Sequence, residues 1–379
     1  MKAPQGPTLM PSQRNSGLDL LRGLLLLMMA MVHLPTSWSD RIGQPLGFVS
    51  AAEGFVFLSA FLIGNIFLVK QDRSGFIAAT RWLMGRAMRL YLFHIALLVL
   101  AFTLVARIAI AYQTPAILNL LDFYFLNPQE AAIAAVILAY QPPLLDILPM
   151  YVLFILFTPI VMRLASLWGW RAILGVSFVI WVLAQFSLRV QFYSFLTYAF
   201  EWRIPVSATG AFDLFAWQFL WVLGIWFGAD GRFKLSHVLA TVPSVLTASF
   251  AIFGLLFLWR LWSGPSGFSD PLWHLFWIDK WTLSPVRVIN LSVIICILFG
   301  TQKILSGIRM PPIERLGQSS QWVFVVHIAT TLLLLCFVGQ FDEPLGNYVG
   351  LLVMGIGISS LFATAKIHRR VKKLKVGFV

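Results

Sequence analysis

Charge is what this sequence has least of. Only 11% of its 379 residues are charged and 59% are apolar, whereas a water-soluble domain carries about a quarter of its residues as charges. With a mean hydropathy of +0.83, one aqueous core could not hide that much apolar surface. Acids are scarcer still, 15 against 28 lysines and arginines. Cysteine is limited to Cys296 and Cys336, both inside apolar runs, which excludes a disulfide framework or a cysteine-built metal site. There is no glycine-rich phosphate loop, no metal-ligand spacing and no nucleophile elbow.

What the chain does have is long apolar runs, such as 24–32, 91–106 and 345–365. Lipid is the solvent such runs need, and in lipid only helices and closed barrels satisfy the backbone. Barrel strands would alternate in polarity over about ten residues, and these runs do not. The reading is therefore an all-α, polytopic integral membrane protein of about ten transmembrane helices. They fall near 17–36, 46–69, 89–111, 144–163, 171–188, 212–229, 236–259, 285–303, 317–338 and 345–366.

Sides follow from the basic residues. With both termini cytoplasmic, only Arg41, Arg107, Arg189, Arg203, Arg260, Lys280 and Arg287 fall outside, leaving 28 − 7 = 21 on the inner side. That bias is the positive-inside signature. It accounts for the net charge of +13 as topology, so no nucleic-acid partner is expected. Residues 1–16 read as a flexible cytoplasmic tail, 17–366 as the membrane domain and 367–379 as a basic cytoplasmic tail. The first apolar run lacks a small-x-small cleavage site and carries Asp19 and Arg22 at its start, so it reads as an uncleaved helix. Three outer segments, 112–143, 189–211 and 260–284, exceed the cytoplasmic turns in length. The first should contain a re-entrant or interfacial helix over 131–139. The third carries Trp273, Trp277 and Trp281 at one-turn intervals, as one helical face would.

Ionisable groups within apolar spans are costly and mark candidate sites. In DLLRGLLLLMMAMVH, eleven residues of helix bring His33 within about 20° of Arg22 and ~16 Å higher, with Asp19 on the same face. The stripe is polar at both ends and hydrocarbon between. A structural Asp19–Arg22 pair with His33 marking the interface is the plainer reading. In SAAEGFVFLSAFLIG, Glu53 should return at the depth of His33 across an antiparallel hairpin. There it could orient the imidazole as a general base, or simply be a buried structural glutamate. Arg81, Arg86 and Arg89, just before the third helix, could hold phosphates, although topology alone also predicts them. His327 lies mid-helix. Asp146, and Asp213 with Trp217 and Gln218, sit at outer helix ends, and Trp202 lies in the second outer segment. Such acid and aromatic sets suit sugars, but aromatic residues also belt every membrane interface.

Arg22 and His33, ten residues apart, resemble the Arg-x10-His motif of the transmembrane acyltransferase family 3 superfamily. Together with EGFVFLSAFLIG, RWLMGRAMRLYLFH, LLDILPMYVLF and ERLGQSSQWVFVVHI, the first helix resembles the OpgC branch over residues 15–366. One departure is Ala60, where that pattern has glycine. The resemblance implies a bacterial inner-membrane succinyltransferase of osmoregulated periplasmic glucans. It further implies acyl-CoA, here succinyl-CoA, as a cytoplasmic co-substrate with no permanently bound cofactor or metal. On that reading His33 is catalytic with Arg22, Asp19 and Glu53 around it, and Arg81, Arg86, Arg89 and His327 bind the donor. Asp146, Trp202, Asp213, Trp217 and Gln218 would meet the glucan, and membrane lipid would be the remaining partner. An acetyltransferase of another surface polysaccharide and a non-catalytic sugar or polyol carrier are the alternatives.

Overall fold

A computed structural model describes residues 16–34, 36, 38–264, 270–302, 307–338, 345 and 347–377. The expected tail at 1–16 lies almost wholly outside the described residues. Among those described there is no strand, only isolated bridges pairing Thr36 with Leu345 and Leu46 with Val49.

The main helices are α1 (Ser16–Val32), α2 (Ala51–Leu100), α3 (Ile147–Gln185), α4 (Leu214–Trp226), α5 (Pro243–Ser263), α6 (Pro285–Gly300), α7 (Pro311–Gln318), α8 (Ser320–Val338) and α9 (Asn347–Gly377). Their starts are written locally. Ser50 and Glu53 form a capping box at the head of α2, Asp213 caps α4, and proline opens α5, α6 and α7, where its missing N–H costs nothing.

Among the described residues, five helical stretches are long and apolar enough to cross a membrane. The longest, Ala51–Tyr112, spans 62 residues, roughly three times what one crossing requires. It is not one rod. Gly75, at φ 82°, breaks α2, and Gly169, at φ 79°, breaks α3. Glycine alone enters that left-handed region without steric cost. The segment expected as a loop over 70–88 is therefore helical on both sides of Gly75, so Arg81, Arg86 and Arg89 lie within a helix rather than before it.

Other boundaries shift too. α1 ends at Val32, and α9 continues past 366 to Gly377 rather than giving way to a separate tail. The first outer segment holds three short helices, Pro115–Leu120, Asp122–Leu126 and Pro128–Val136. The third holds Pro271–Ile278, on which Trp273 and Trp277 stack at 6.3 Å. Trp281 falls beyond that helix, so the three-tryptophan face is a pair; Asp279 ends the helix by accepting from Thr282 N and Oγ1.

Close approach is made by small residues. On α2, Ala60 and Gly64 face α4 and the turn that follows it, where Gly224 and Gly228 lie one turn apart. A methyl at Gly64 would meet the Ile225 carbonyl, and one at Gly228 the Phe61 carbonyl. This is the small-xxx-small contact of apolar helices. α1 crosses α7 in the same manner, Gly23 against Ile313 and Gly317 against the Asp19 carbonyl. The outside is apolar. The most hydrophobic stretch of α5 has a mean hydropathy of 1.8 and is only 6% buried, with Leu255, Leu258 and Leu261 all facing out. A surface of that kind belongs in lipid, and the chain is a membrane protein.

Candidate active site

α1 carries the expected stripe. Asp19, 1% exposed, forms an ion pair with Arg22 one turn on. At the other end the His33 N–H donates to the Met29 carbonyl at 3.1 Å, so the helical turn continues through His33. The residues between, Gly23 to Val32, are apolar throughout.

Arg22 lines a small cavity of about 40 Å³ together with Arg86, Tyr151, Ser59, Ser320 and Gln321 on its polar side. Phe55, Leu62, Leu90 and Phe324 contribute to the apolar side. Tyr151 donates to Ser59 at 3.4 Å. Arg86 Nε and Gln321 Nε2, both buried there, have no acceptor among the described residues. Buried donors without partners are uncommon, and two aimed at one cavity suit an acceptor-rich ligand such as a phosphate or an amide carbonyl. Arg81 and Arg89 are exposed, so one arginine of the expected three faces this cavity. Arg81, five positions away, lies about 140° round the helix, whereas Arg89, one turn on, shares the side of Arg86 but is exposed.

His33 has a partner from across the fold. Its ring stacks on His327 at 5.0 Å and 17°, with His33 Nδ1 2.8 Å from His327 Nε2. Behind it, His327 Nδ1 lies 3.4 Å from Thr331 Oγ1. One hydrogen is shared between the two rings, so at least one facing nitrogen is unprotonated. If His33 Nδ1 donates to His327 and His327 Nδ1 to Thr331, His33 Nε2 keeps a free lone pair. That is the tautomer a general base requires. His327 is also joined to the cavity, because Phe324 lies edge-on to its ring at 6.3 Å and lines that space. Expected as a donor contact beside the arginines, His327 is instead the neighbour of His33.

Glu53 does not orient His33. Its carboxylate accepts from Ser50 N at 3.0 Å and from Ser50 Oγ, and it forms a buried ion pair with Arg287. Arg287 Nε in turn donates to the Ile278 carbonyl at 2.7 Å. A guanidinium is always charged and offers a fork of donors, so it outcompetes an imidazole for a buried carboxylate.

The expected acceptor residues are used by the protein itself. Asp146 accepts from Ala211 N at 3.1 Å, and Asp213 accepts from Phe215 N and Ala216 N at the head of α4. Trp217 is fully buried, donating to the Trp281 carbonyl at 3.0 Å. Gln218 exchanges two hydrogen bonds with Ser177. Trp202 is half-buried, and its Nε1 has no acceptor among the described residues. These hydrogen bonds tie the side chains of Asp146, Asp213, Trp217 and Gln218 to their surroundings, because buried polar atoms must find partners.

A family model described as OpgC protein matches residues 14–373. The chain belongs to the OpgC family. That membership suggests involvement in the modification of osmoregulated periplasmic glucans. No curated protein and no solved structure matches the chain.

Sequence reasoning missed several residues that the structure places around these groups. Tyr151 and Gln321 lack any charge to single them out. Arg287 and Lys280 stood among the seven outer cations, and their position at the foot of an aromatic segment was the available signal. Burial lowers the pKa of Lys280, so its ammonium is held where water alone does not fully support the charge.

Proposed function

We propose that the protein is a membrane O-acyltransferase that moves a succinyl group from cytoplasmic succinyl-CoA to a hydroxyl of a periplasmic glucan. The observation that carries this reading is the His33–His327 pair at the outer end of the helix whose inner end brings Arg22 to the Arg86 cavity. Family membership supports glucan modification. The positive-inside bias supports an even number of spans, ten on this reading, with both termini inside.

In the proposed reaction the coenzyme A moiety enters from the cytoplasm with Arg22, Arg86 and Gln321 facing its acceptor atoms. Gln321 and His327 are six residues apart, or ~9 Å along α8, a span that the pantetheine arm bridges. The glucan hydroxyl arrives from outside. As its oxygen attacks the thioester carbonyl, His33 Nε2 takes the hydroxyl proton, the C–O bond forms and the C–S bond breaks. The coenzyme A thiolate leaves and receives that proton from His33 Nε2, so the base is regenerated and a free thiol departs. His327 and Thr331 hold the tautomer and share the transient positive charge.

Purified full-length protein, given succinyl-CoA and glucan, should form half-ester succinyl groups detectable by mass spectrometry. His33→Ala should reduce transfer by about 10²–10⁴-fold while succinyl-CoA still binds. Undiminished transfer by a folded His33→Ala protein would overturn the mechanism.

A further inference from the structure

Lys280 is a cation that pairs with no acid among the described residues. It lies in the turn between Pro271–Ile278 and α6, and that turn is pinned on every side. Trp217 Nε1 and Asp213 N donate to the Trp281 carbonyl, Trp181 Nε1 to the Leu283 carbonyl and Gln185 Nε2 to the Thr282 carbonyl. On this rigid seat the Lys280 ammonium lies 4.6 Å from the centre of the Trp281 ring and 5.9 Å from that of Phe212. Among the described residues it makes no hydrogen bond and no ion pair. Ring faces satisfy a cation only in part.

The nearby acids are already engaged: Glu53 with Arg287 and Ser50, Asp146 with Ala211 N, and Asp279 with Thr282. The charge of Lys280 reaches His33 electrostatically, as it reaches Asp146 and Asp279. An unspent ammonium whose charge reaches the base, on a turn held by these hydrogen bonds, is what a substrate carrying its own anion would need.

We propose that Lys280 selects a dicarboxylic acyl donor, its ammonium holding the distal carboxylate of the succinyl group while His33 works at the thioester carbonyl. The inference rests on the acyltransferase reading above. Two methylenes separate the two ends of a succinyl group, which on this proposal meet Lys280 and His33. An acetyl group has nothing to offer Lys280, and the contact would therefore discriminate between donors rather than drive the chemistry.

The test compares kcat/KM for succinyl-CoA and acetyl-CoA, with glucan as acceptor, in wild type, Lys280→Met and Lys280→Arg. Loss of a charge-assisted contact should lower the succinyl-to-acetyl ratio in Lys280→Met by about ten- to a hundredfold, and Lys280→Arg should keep most of it. An equal fall for both donors would overturn the proposal, since Lys280 would then serve the developing oxyanion or the fold. The unaltered protein supplies a second measurement that does not depend on a variant folding. The methyl half-ester of succinyl-CoA, whose distal carboxylate is masked, should be a poorer donor by a similar factor, and equal use of both would also overturn the proposal. If wild type transfers from neither succinyl- nor acetyl-CoA, the acyltransferase reading itself fails. A wild type that transfers acetyl as readily as succinyl leaves that reading standing and removes this inference alone.

Discussion

At the scale of single residues, the Glu53–Arg287 pair shows how burial sets roles. Both side chains are almost wholly shielded, and a buried ion pair broken on one side leaves an uncompensated charge. Glu53→Gln alone or Arg287→Met alone should each cost about 3–5 kcal/mol, read as a fall in the thermal midpoint in detergent. The double variant should recover most of that loss, because no stranded charge remains. If each single change were as mild as the double, the pair would not be coupled. Arg86 offers a second residue-scale contrast. It faces the cavity whereas Arg81 and Arg89 face out, so Arg86→Gln should raise KM for acyl-CoA by about ten- to a hundredfold. Arg89→Gln should stay near wild type in the same assay, and equal effects would show that the arginines act only through net charge.

Whether such roles could be read beforehand depended on what each residue's partner was. The Asp19–Arg22 pair and the continuation of that face to His33 follow from helical periodicity, and both were legible. The His33–His327 contact joins residues 294 positions apart, and no local pattern carries that information. Glu53 was assigned His33 as partner, whereas its carboxylate pairs with Arg287, a cation that lies on α6. The acid and aromatic residues at Asp146, Asp213 and Trp217 looked sugar-binding by composition. Their hydrogen bonds go to backbone groups of loops and of the head of α4, which a sequence does not display.

At the scale of elements, two kinds of glycine should respond differently to the same change. Gly75 has nothing near the position a Cβ would take, and its cost is purely conformational. Gly75→Ala should therefore destabilise by about 1–2 kcal/mol. Gly228 sits against the Phe61 carbonyl at the α2 crossing. Gly228→Ala must push the two helices apart and should cost at least as much, about 1–3 kcal/mol or more, with activity falling as α2 shifts. Thermal denaturation of the two variants side by side checks this, and a neutral Gly228→Ala would mean the crossing is looser than its geometry implies. Helix type was legible from the apolar runs. The helical continuation through 70–88 was not, because its charges look like those of a loop and only the position of Gly75 shows where the chain turns.

At the scale of the whole molecule, the arrangement depends on sidedness. Reporter fusions at Asp72 and Gly377 should read cytoplasmic, and one at Asp270 periplasmic. A cytoplasmic signal at Asp270 would reverse the outer assignment of Lys280 and Arg287 and with it the direction of transfer. This expected orientation rests on the lysine and arginine bias near helix ends rather than on tertiary contacts.

A protein that joins two compartments also risks becoming a leak between them. Each elementary charge that slips across a potential of 100 mV dissipates about 2.3 kcal/mol, and a cell keeping such an enzyme in its energised membrane would lose that energy continuously. The apolar stretch from Gly23 to Val32 is an insulator on α1. No residue in it can carry a proton from the Arg22 end to His33, so the proposed acyl transfer from one face to the other would leave the electrical gradient along this helix intact.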